Sequence, residues 1–272
     1  MNLVFFHWIN GDTYTGDWRD GVPHGHGEFN YGSDEKKGER YSGQYERGFR
    51  TGYGTYYYSD GRSFVGTFLN DQREGPGIMY YPEGFRREGV WTHDKLKGEV
   101  RKYMDNETIL EIWLDDGIYT GGAVDQVPHG KGSINYFEDV PNLHKYTGEW
   151  HEGKKQGFGK MIWKDGDNYR GDWNNDLPEG KGEYQWSNGN KFVGLFLRGL
   201  PSGEGVFETG NGDIFVGNMK NGLPDGKGEY VYGEGKKKWD KYVGEFQNGM
   251  FHGNGSYFSN DGSRLVKSQD RT

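Results

Sequence analysis

One copy of a repeated pattern reads Tyr169-Arg-Gly171-Asp-Trp173-Asn-Asn-Asp176-Leu-Pro178-Glu-Gly180-Lys-Gly182-Glu-Tyr184-Gln-Trp186-Ser-Asn188-Gly189-Asn190-Lys191. The pattern begins again at Phe192 and at Phe215. The copies start 23 residues apart, and self-similarity at a fixed period is typical of repeat architectures. One small structural unit is therefore copied along the chain, and its nature decides the fold.

The repeated unit is predicted to be a β-hairpin. Tyr169, Gly171 and Trp173 are spaced by two residues and so share one face of a first strand. Turn-forming residues follow, and Gly182 and Tyr184 then share one face of a second strand. This face alternates large rings with glycines, and we expect each ring to lie over a glycine of a neighbouring strand, where no Cβ obstructs it.

The pattern extends over most of the chain. A lone hairpin is marginally stable in water, so each copy needs a neighbour on either side, which the array supplies. The fold class predicted from the repeat is all-β, an elongated single-layer solenoid of about ten consecutive antiparallel hairpins with a period of 23 residues. The first strands begin at Tyr14, Tyr41, Phe64, Arg87, Tyr119, Tyr146, Tyr169, Phe192, Phe215 and Tyr242.

Three intervals carry four extra residues each, at the second turn of the unit. These insertions span Gly32 to Arg40, Phe137 to Lys145 and Gly233 to Lys241, and we expect them to project as longer loops. The organisation predicted from the pattern is a half-unit N-terminal cap at 1–13, units at 14–100, an irregular splice at 101–118, further units at 119–262 and a disordered tail at 263–272.

The pattern is weakest around the fourth unit. Arg87 replaces the leading ring, and Val100 replaces a glycine. In the segment that follows, Leu110, Ile112 and Leu114 share one strand face, and the opposite face is apolar as well. Such a strand is expected to be covered on both sides, either by this chain or by another one, which makes the three residues a candidate interface.

The composition excludes several classes of function. Glycine accounts for 49 of 272 residues, and the repeat explains this excess. The net charge of −8 gives no basic footprint for nucleic acid, and the absence of cysteine excludes disulfides and thiolate metal sites. No stretch approaches transmembrane length, and residues 1–10 do not resemble a signal peptide. The basic triplet at 236–238 is interpreted as a solvated loop, with a phosphate or lipid contact as the less favoured alternative.

The first complete unit carries a family resemblance. This unit reads Tyr14-Thr-Gly16-Asp-Trp18-Arg-Asp-Gly21-Val-Pro-His24-Gly25-His-Gly27, and it resembles the MORN (membrane occupation and recognition nexus) repeat. The resemblance covers about residues 6–262, with a break at 87–123. It implies an elongated β solenoid with an aromatic groove. It also implies a scaffold of cilia, cytoskeletal structures or membrane-associated assemblies. Some arrays of this family dimerise, and some receive a partner helix in the groove.

No motif of catalysis is present in the sequence. A nucleophile elbow, a phosphate-binding loop and a zinc-protease helix motif are all missing, and carboxylates fall mostly in turns, where they are ordinary. His24 and His26 lack an evident third metal ligand. We therefore expect no enzyme activity, no catalytic residues, no cofactor and no metal.

The favoured hypothesis is a non-enzymatic scaffold or adaptor that binds protein partners along the aromatic groove. The alternative for each ring is that it only covers other rings and the glycines. The competing hypotheses are a phosphoinositide or membrane-surface adaptor and the repeat array of a larger protein. The candidate groove residues are Trp18, Trp91, Trp113, Trp150, Trp163, Trp173 and Trp186.

The expected partners and location follow from the same hypothesis. The partner would be a peptide, a helix or a cytoskeletal component, and the protein would be cytoplasmic, in a cilium, an axoneme or another part of the cytoskeleton. A homodimer is expected through the end units, because only the end strands have open edges. Nucleic acid is not expected, and membrane lipid is not favoured.

Overall fold

The computed structural model describes residues 4–104, 107–235 and 237–267, and the chain divides into two compact units, 1–120 and 121–272. The described pairings join strands that are antiparallel and consecutive in the chain. The prediction of an all-β fold made of consecutive antiparallel hairpins is confirmed.

The first unit contains ten complete strands and a 3-10 turn at Asp34–Lys36. An eleventh strand, β11 (Gly117–Val124), crosses the boundary between the units. The strands are β1 Val4–His7, β2 Thr13–Arg19, β3 Val22–Asn30, β4 Arg40–Glu46, β5 Phe49–Tyr57, β6 Ser63–Leu69, β7 Gln72–Tyr80, β8 Arg86–Thr92, β9 Lys95–Met104 and β10 Glu107–Trp113.

The second unit continues the same alternation of shorter first strands and longer second strands. Its strands are β12 Val127–Tyr136, β13 Leu143–His151, β14 Lys154–Trp163, β15 Asn168–Asn174, β16 Leu177–Gln185, β17 Lys191–Leu197, β18 Leu200–Glu208, β19 Ile214–Lys220, β20 Leu223–Val231, β21 Lys241–Gln247, β22 Met250–Phe258 and β23 Arg264–Lys267.

The leading ring of each regular hairpin lies over the glycines, as the spacing predicts. Tyr169 is fully buried, and a Cβ added to Gly182 would come within 2.4 Å of its Oη atom. Gly171 and Gly182 lie opposite each other in the ladder between β15 and β16, so one ring covers both. The Tyr169 hydroxyl donates a hydrogen bond to the Asp172 carbonyl at 2.9 Å. The ring therefore fills a slot that exists only because two side chains are missing.

A second ring in each first strand completes the core. Trp173 meets Tyr169 edge-to-face at 5.2 Å and meets Tyr146 of the preceding hairpin in the same manner at 5.2 Å. Phe196 repeats this arrangement against Tyr169 at 4.9 Å. Edge-to-face contact is the favoured geometry for aromatic rings, so these pairs couple each hairpin to the preceding one.

The first turns of most hairpins are fixed by one of two matched pairs, either proline with glycine or a basic residue with aspartate. Where the second strand has Pro178, the following hairpin has Gly199, whose N–H donates to the Pro178 carbonyl at 2.9 Å. Where the second strand has Lys155, the following turn has Asp176, and the Asp176 carboxylate accepts the Lys155 backbone N–H at 2.9 Å. Proline has no N–H and needs no acceptor, which explains why proline occurs with glycine and lysine with aspartate.

The Arg87 substitution and the Val100 substitution in the fourth hairpin are linked. Val100 and Leu96 are buried, and their Cγ2 and Cδ1 atoms lie 3.2 and 2.7 Å from the position of a Cβ built on Gly89. These two aliphatic side chains thus occupy the space that a leading ring would fill. Arg87 instead forms a two-point ion pair with Glu111 of β10, at 2.8 and 3.2 Å.

Two segments differ from the prediction. Residues 101–118 were expected to be irregular, yet they contain the end of β9, all of β10 and the start of β11, with only 105–106 outside the described residues. The segment 263–272 was expected to be disordered, but Arg264–Lys267 pairs with Gly255–Phe258, and 268–272 lie outside the described residues. In both places hydrogen bonding to the preceding strand gives regular structure without the ring-and-glycine pattern.

The matched pairs at the first turn give a testable prediction. Asp176→Gly should lower the free energy of unfolding by about 1–2 kcal/mol, because the Lys155 N–H loses its acceptor and the Lys155 ammonium loses its ion pair at 3.0 Å. In a Lys155→Pro background the same change should cost less than about half as much, since neither the N–H nor the ammonium remains to be satisfied. Urea denaturation of the two single variants and the double variant measures this coupling. Additive effects would contradict the explanation.

Candidate functional site

The aromatic face of the sheet, meaning the face that carries the leading rings, is the candidate site. Three of the predicted groove tryptophans are buried in it: Trp91 and Trp150 are 5% exposed, and Trp173 is 3% exposed. The Trp150 and Trp173 indoles donate hydrogen bonds to the Gly132 and Gly159 carbonyls at 3.3 and 3.2 Å. These three side chains belong to the core. They cover other rings and glycines, which is the alternative to the hypothesis that they contact a partner.

The other four predicted tryptophans, Trp18, Trp113, Trp163 and Trp186, are half-buried. Trp18 contacts Tyr14 at 5.4 Å and stacks on Phe6 of β1 at 5.5 Å, and Phe6 is itself 42% exposed. Trp163 and Trp186 lie at the ends of second strands, beyond the slot that the leading ring closes. Trp18 has the same first-strand position as the buried Trp173, so enclosure by neighbouring rings, and not strand position alone, separates the buried tryptophans from the accessible ones.

In the second unit the accessible rings form a row, here called the exposed ring row. Trp163 stacks on Tyr184 at 5.3 Å, Tyr184 contacts Trp186 at 4.4 Å, and Trp186 contacts Phe207 at 5.7 Å. All four side chains are half-buried. Tyr184 and Phe207 were not among the predicted groove residues, although their position two residues after a repeat glycine could have identified them.

A carboxylate fixes the orientation of the exposed ring row. The Tyr184 hydroxyl donates to Asp167 at 2.8 Å, and Asp167 also accepts the Ser187 backbone N–H at 2.8 Å. Burial and the neighbouring Asp167 raise the pKa of Tyr184 above its ordinary value. Although desolvation opposes it, the hydrogen bonds from Ser187 and Tyr184 lower the pKa of Asp167. This carboxylate is therefore an ionised acceptor that holds a turn and a ring in place.

In the first unit the corresponding accessible rings surround the buried core. Cations cover several of them: the Arg87 guanidinium lies 5.2 Å from the ring centre of Tyr81 and 5.4 Å from that of Trp113. The partly buried side chains packed against the core of this unit are Trp8, Trp18, Phe29, Tyr31, Tyr58, Tyr81 and Trp113.

The candidate interface strand, Leu110 to Leu114, is covered by the chain itself on both faces at its centre only. Ile112 is 4% exposed on one face, and Glu111 is 5% exposed on the other. The Trp113 indole donates to Glu111 at 2.9 Å, so Glu111 is satisfied by Trp113 and by Arg87. Of the three predicted contact residues, Leu110 is 50% exposed, Leu114 is half-buried and Ile112 is not available to a partner.

Within residues 4–104, 107–235 and 237–267, no three His, Asp or Glu side chains come together as metal ligands would. Over the same residues, no helix is long and apolar enough to span a bilayer.

Comparison with known proteins identifies the repeat. A family model described as MORN repeat matches eight segments and leaves residues 87–145 unmatched. A comparison with curated proteins gave no match. Among solved structures, a point mutant of the TCP10 domain of Danio rerio CPAP aligns with this chain at 14% identity. The alignment covers 80% of this chain and 99% of that chain. Its TM-score of 0.22 is too low to support an inference. The matched segments are 14–34, 41–61, 64–86, 146–168, 169–191, 192–214, 215–237 and 242–264.

The buried tryptophans provide a matched test of their structural role. Trp173→Phe breaks the hydrogen bond to the Gly159 carbonyl, whereas the buried Trp91 Nε1 atom has no hydrogen-bond partner among the described residues. We expect Trp173→Phe to lower the free energy of unfolding by about 1 kcal/mol more than Trp91→Phe does. Urea denaturation of both variants checks this, and equal losses would show that the Trp173 hydrogen bond contributes nothing.

Proposed function

The chain belongs to the MORN repeat family, and on that premise we propose that it is a non-enzymatic scaffold that binds protein partners on its aromatic face. The observation that carries the proposal is the exposed ring row, which stands on a core of fully buried leading rings. The contact residues in the second unit are Trp163, Tyr184, Trp186 and Phe207.

Rigid aromatic side chains suit this role. Tryptophan and tyrosine bury a large area on binding while losing little conformational freedom, and they dominate the energetics of many interfaces. Trp186 is held between Tyr184 at 4.4 Å and Phe207 at 5.7 Å, so its indole is oriented before a partner arrives. The partner is a protein segment, such as a peptide, a helix or a cytoskeletal component, that presents apolar side chains to this row.

The cellular setting is part of the same proposal. The assembly is cytoplasmic and belongs to a cilium, an axoneme or another cytoskeletal structure, and the support for this part is the family resemblance. Self-association through the end strands is also proposed. In the second unit, β23 pairs with β22 on one side, and a second copy could add a strand to its other edge.

The proposed contact residues can be tested with a control on the opposite face. Trp163→Ala combined with Trp186→Ala should abolish the capture of protein partners from ciliated cells, measured by affinity purification and quantitative mass spectrometry. Phe158→Ala is the control, because Phe158 is also a large exposed ring, at 49%, but its strand position places it on the other face.

Circular dichroism and thermal unfolding should show that both variants keep the fold. Partners lost from the double tryptophan variant and retained by the Phe158 variant are the expected result. Partners retained by a folded double tryptophan variant would contradict the proposal.

A further inference from the structure

A cluster of two aromatic rings and one carboxylate occurs three times within the described residues. In each copy, a ring at or just beyond the end of a second strand contacts a ring of the following hairpin, at 6.0, 5.3 and 6.2 Å between ring centres. The hydroxyl of the second ring donates a hydrogen bond to the carboxylate. The first cluster is Tyr31, Tyr56 and Glu39, the second is Trp163, Tyr184 and Asp167, and the third is Tyr232, Tyr257 and Asp240.

In the first and third clusters, a lysine of the chain covers the first ring. The Lys36 ammonium lies 5.3 Å from the ring centre of Tyr31, and the Lys237 ammonium lies 5.3 Å from that of Tyr232. These distances are within the range of a cation–π interaction. The fold therefore places a positive charge on this arrangement of rings in two separate hairpins.

The two lysines are equivalent because their insertion loops have the same backbone. The Gly38 N–H donates to the Tyr31 carbonyl at 3.0 Å, and the Trp239 N–H donates to the Tyr232 carbonyl at 2.9 Å. Gly38 and Trp239 both have a positive φ, of 88° and 70°. In each loop the lysine precedes this residue by two positions. The same loop geometry thus delivers an ammonium group to the first ring of each cluster.

The second cluster has no lysine of its own over the rings. Its turn lacks the inserted residues that carry the lysine in the other two clusters. Lys164 follows Trp163 directly, but its ammonium donates to backbone carbonyls of the neighbouring insertion loop, among them that of Val140 at 2.9 Å. Among the described Lys and Arg side chains, none lies over the ring of Trp163 or Tyr184. The place that a cation fills twice elsewhere is therefore left open here.

The carboxylates around the second cluster are not neutralised by cations. Asp167 is an ionised acceptor, and Asp165, two residues earlier, is exposed. Neither forms an ion pair within the described residues, and the same holds for the exposed Glu138 and Asp139 of the neighbouring insertion loop. The first ring of this cluster is Trp163, and tryptophan attracts cations most strongly among the aromatic residues. The second cluster thus combines a partly exposed indole with uncompensated negative charge.

We propose that the second cluster binds a lysine or arginine side chain of the protein partner, which takes the place that Lys36 and Lys237 fill in the other two clusters. The exposed ring row then selects a basic segment. The cation lies over Trp163 beside Asp167, and apolar side chains of the segment pack on Trp186. This inference rests on the proposed function and names the class of partner. The same carboxylates would repel an acidic segment or an anionic bilayer.

Arginine and citrulline provide a matched pair of probes, because citrulline has the shape of arginine without its charge. Three Gly/Ser peptides carry two Leu residues with Arg, citrulline or Glu between them. Binding is followed by two-dimensional NMR of the full chain, at the indole N–H signal of Trp163, which a Trp163→Phe variant assigns. We expect the Arg peptide to bind about fivefold or more tightly than the citrulline peptide, with an advantage that falls as salt rises, and the Glu peptide to bind most weakly.

Two matched variants separate the charge from the fold. Asp167→Asn removes the charge but keeps an acceptor oxygen, and it should reduce the affinity for the Arg peptide about fivefold, to that for the citrulline peptide. Asp213→Asn is the control, because Asp213 also accepts a tyrosine hydroxyl, from Tyr230 at 2.5 Å, and a backbone N–H at 2.7 Å. The residue there that corresponds to Trp163 is Thr209, so no cluster forms. Asp213→Asn should leave peptide binding unchanged, although both variants lose similar stability in thermal unfolding.

Three results would overturn the inference. They are equal affinity for the citrulline and Arg peptides, no binding of the Arg peptide, and a loss of binding in Asp213→Asn as large as in Asp167→Asn. Equal affinity for the citrulline peptide would leave the proposed function intact, because apolar contact with the exposed ring row would then suffice. The proposed function fails separately, when the folded double tryptophan variant keeps its protein partners.

Discussion

The fold depends on one steric fit, in which an aromatic ring lies over two glycines that face each other across a strand pair. The Tyr169 ring occupies this slot in the seventh hairpin, and the Cβ positions of Gly171 and Gly182 would each lie within 2.5 Å of it. In a thin sheet without a second layer, this fit removes the leading ring of each regular hairpin from water. The neighbouring ring, such as Trp173, then couples one hairpin to the preceding one.

The same fit explains where the pattern changes. Once the two aliphatic side chains fill the slot in the fourth hairpin, a leading ring has no place, and Arg87 takes the position because Glu111 offers it a buried partner. Removing one partner of such a pair leaves an uncompensated charge, so the Arg87 and Glu111 substitutions have to occur together. The matched pairs at the first turns, proline with glycine and lysine with aspartate, are a second example of linked positions.

Much of the fold could be predicted from the sequence because the ring and its glycines are close in the chain. The spacing of Tyr169, Gly171 and Gly182 was sufficient to predict the hairpin, the face and the slot. The accessibility of the tryptophans could not be predicted, since Trp173 and Trp186 follow the same alternation and differ only in whether flanking rings enclose them. Glu111 was missed because its partner Arg87 lies 24 residues away. The left-handed backbone at Trp239 was missed because its positive φ angle leaves no mark in the residue pattern.

The proposed function follows from what this core leaves uncovered. The leading rings are buried, whereas Trp163, Tyr184 and Trp186 are only half-buried and keep part of their surface open to a partner. This surface rests on the geometry of the hairpins, and that geometry rests on the fit between ring and glycine.

The fit is tested most directly at Gly182, whose φ is not in the left-handed region and whose nearest neighbours are atoms of the Tyr169 ring. Native-state hydrogen exchange would give the opening free energy of β15 and β16 for Gly182→Ala, alone and together with Tyr169→Leu. The account predicts a loss of about 2 kcal/mol when the tyrosine is present and less than about 0.5 kcal/mol when leucine replaces it. Equal losses in both backgrounds would show that the glycine serves the backbone and would contradict the account.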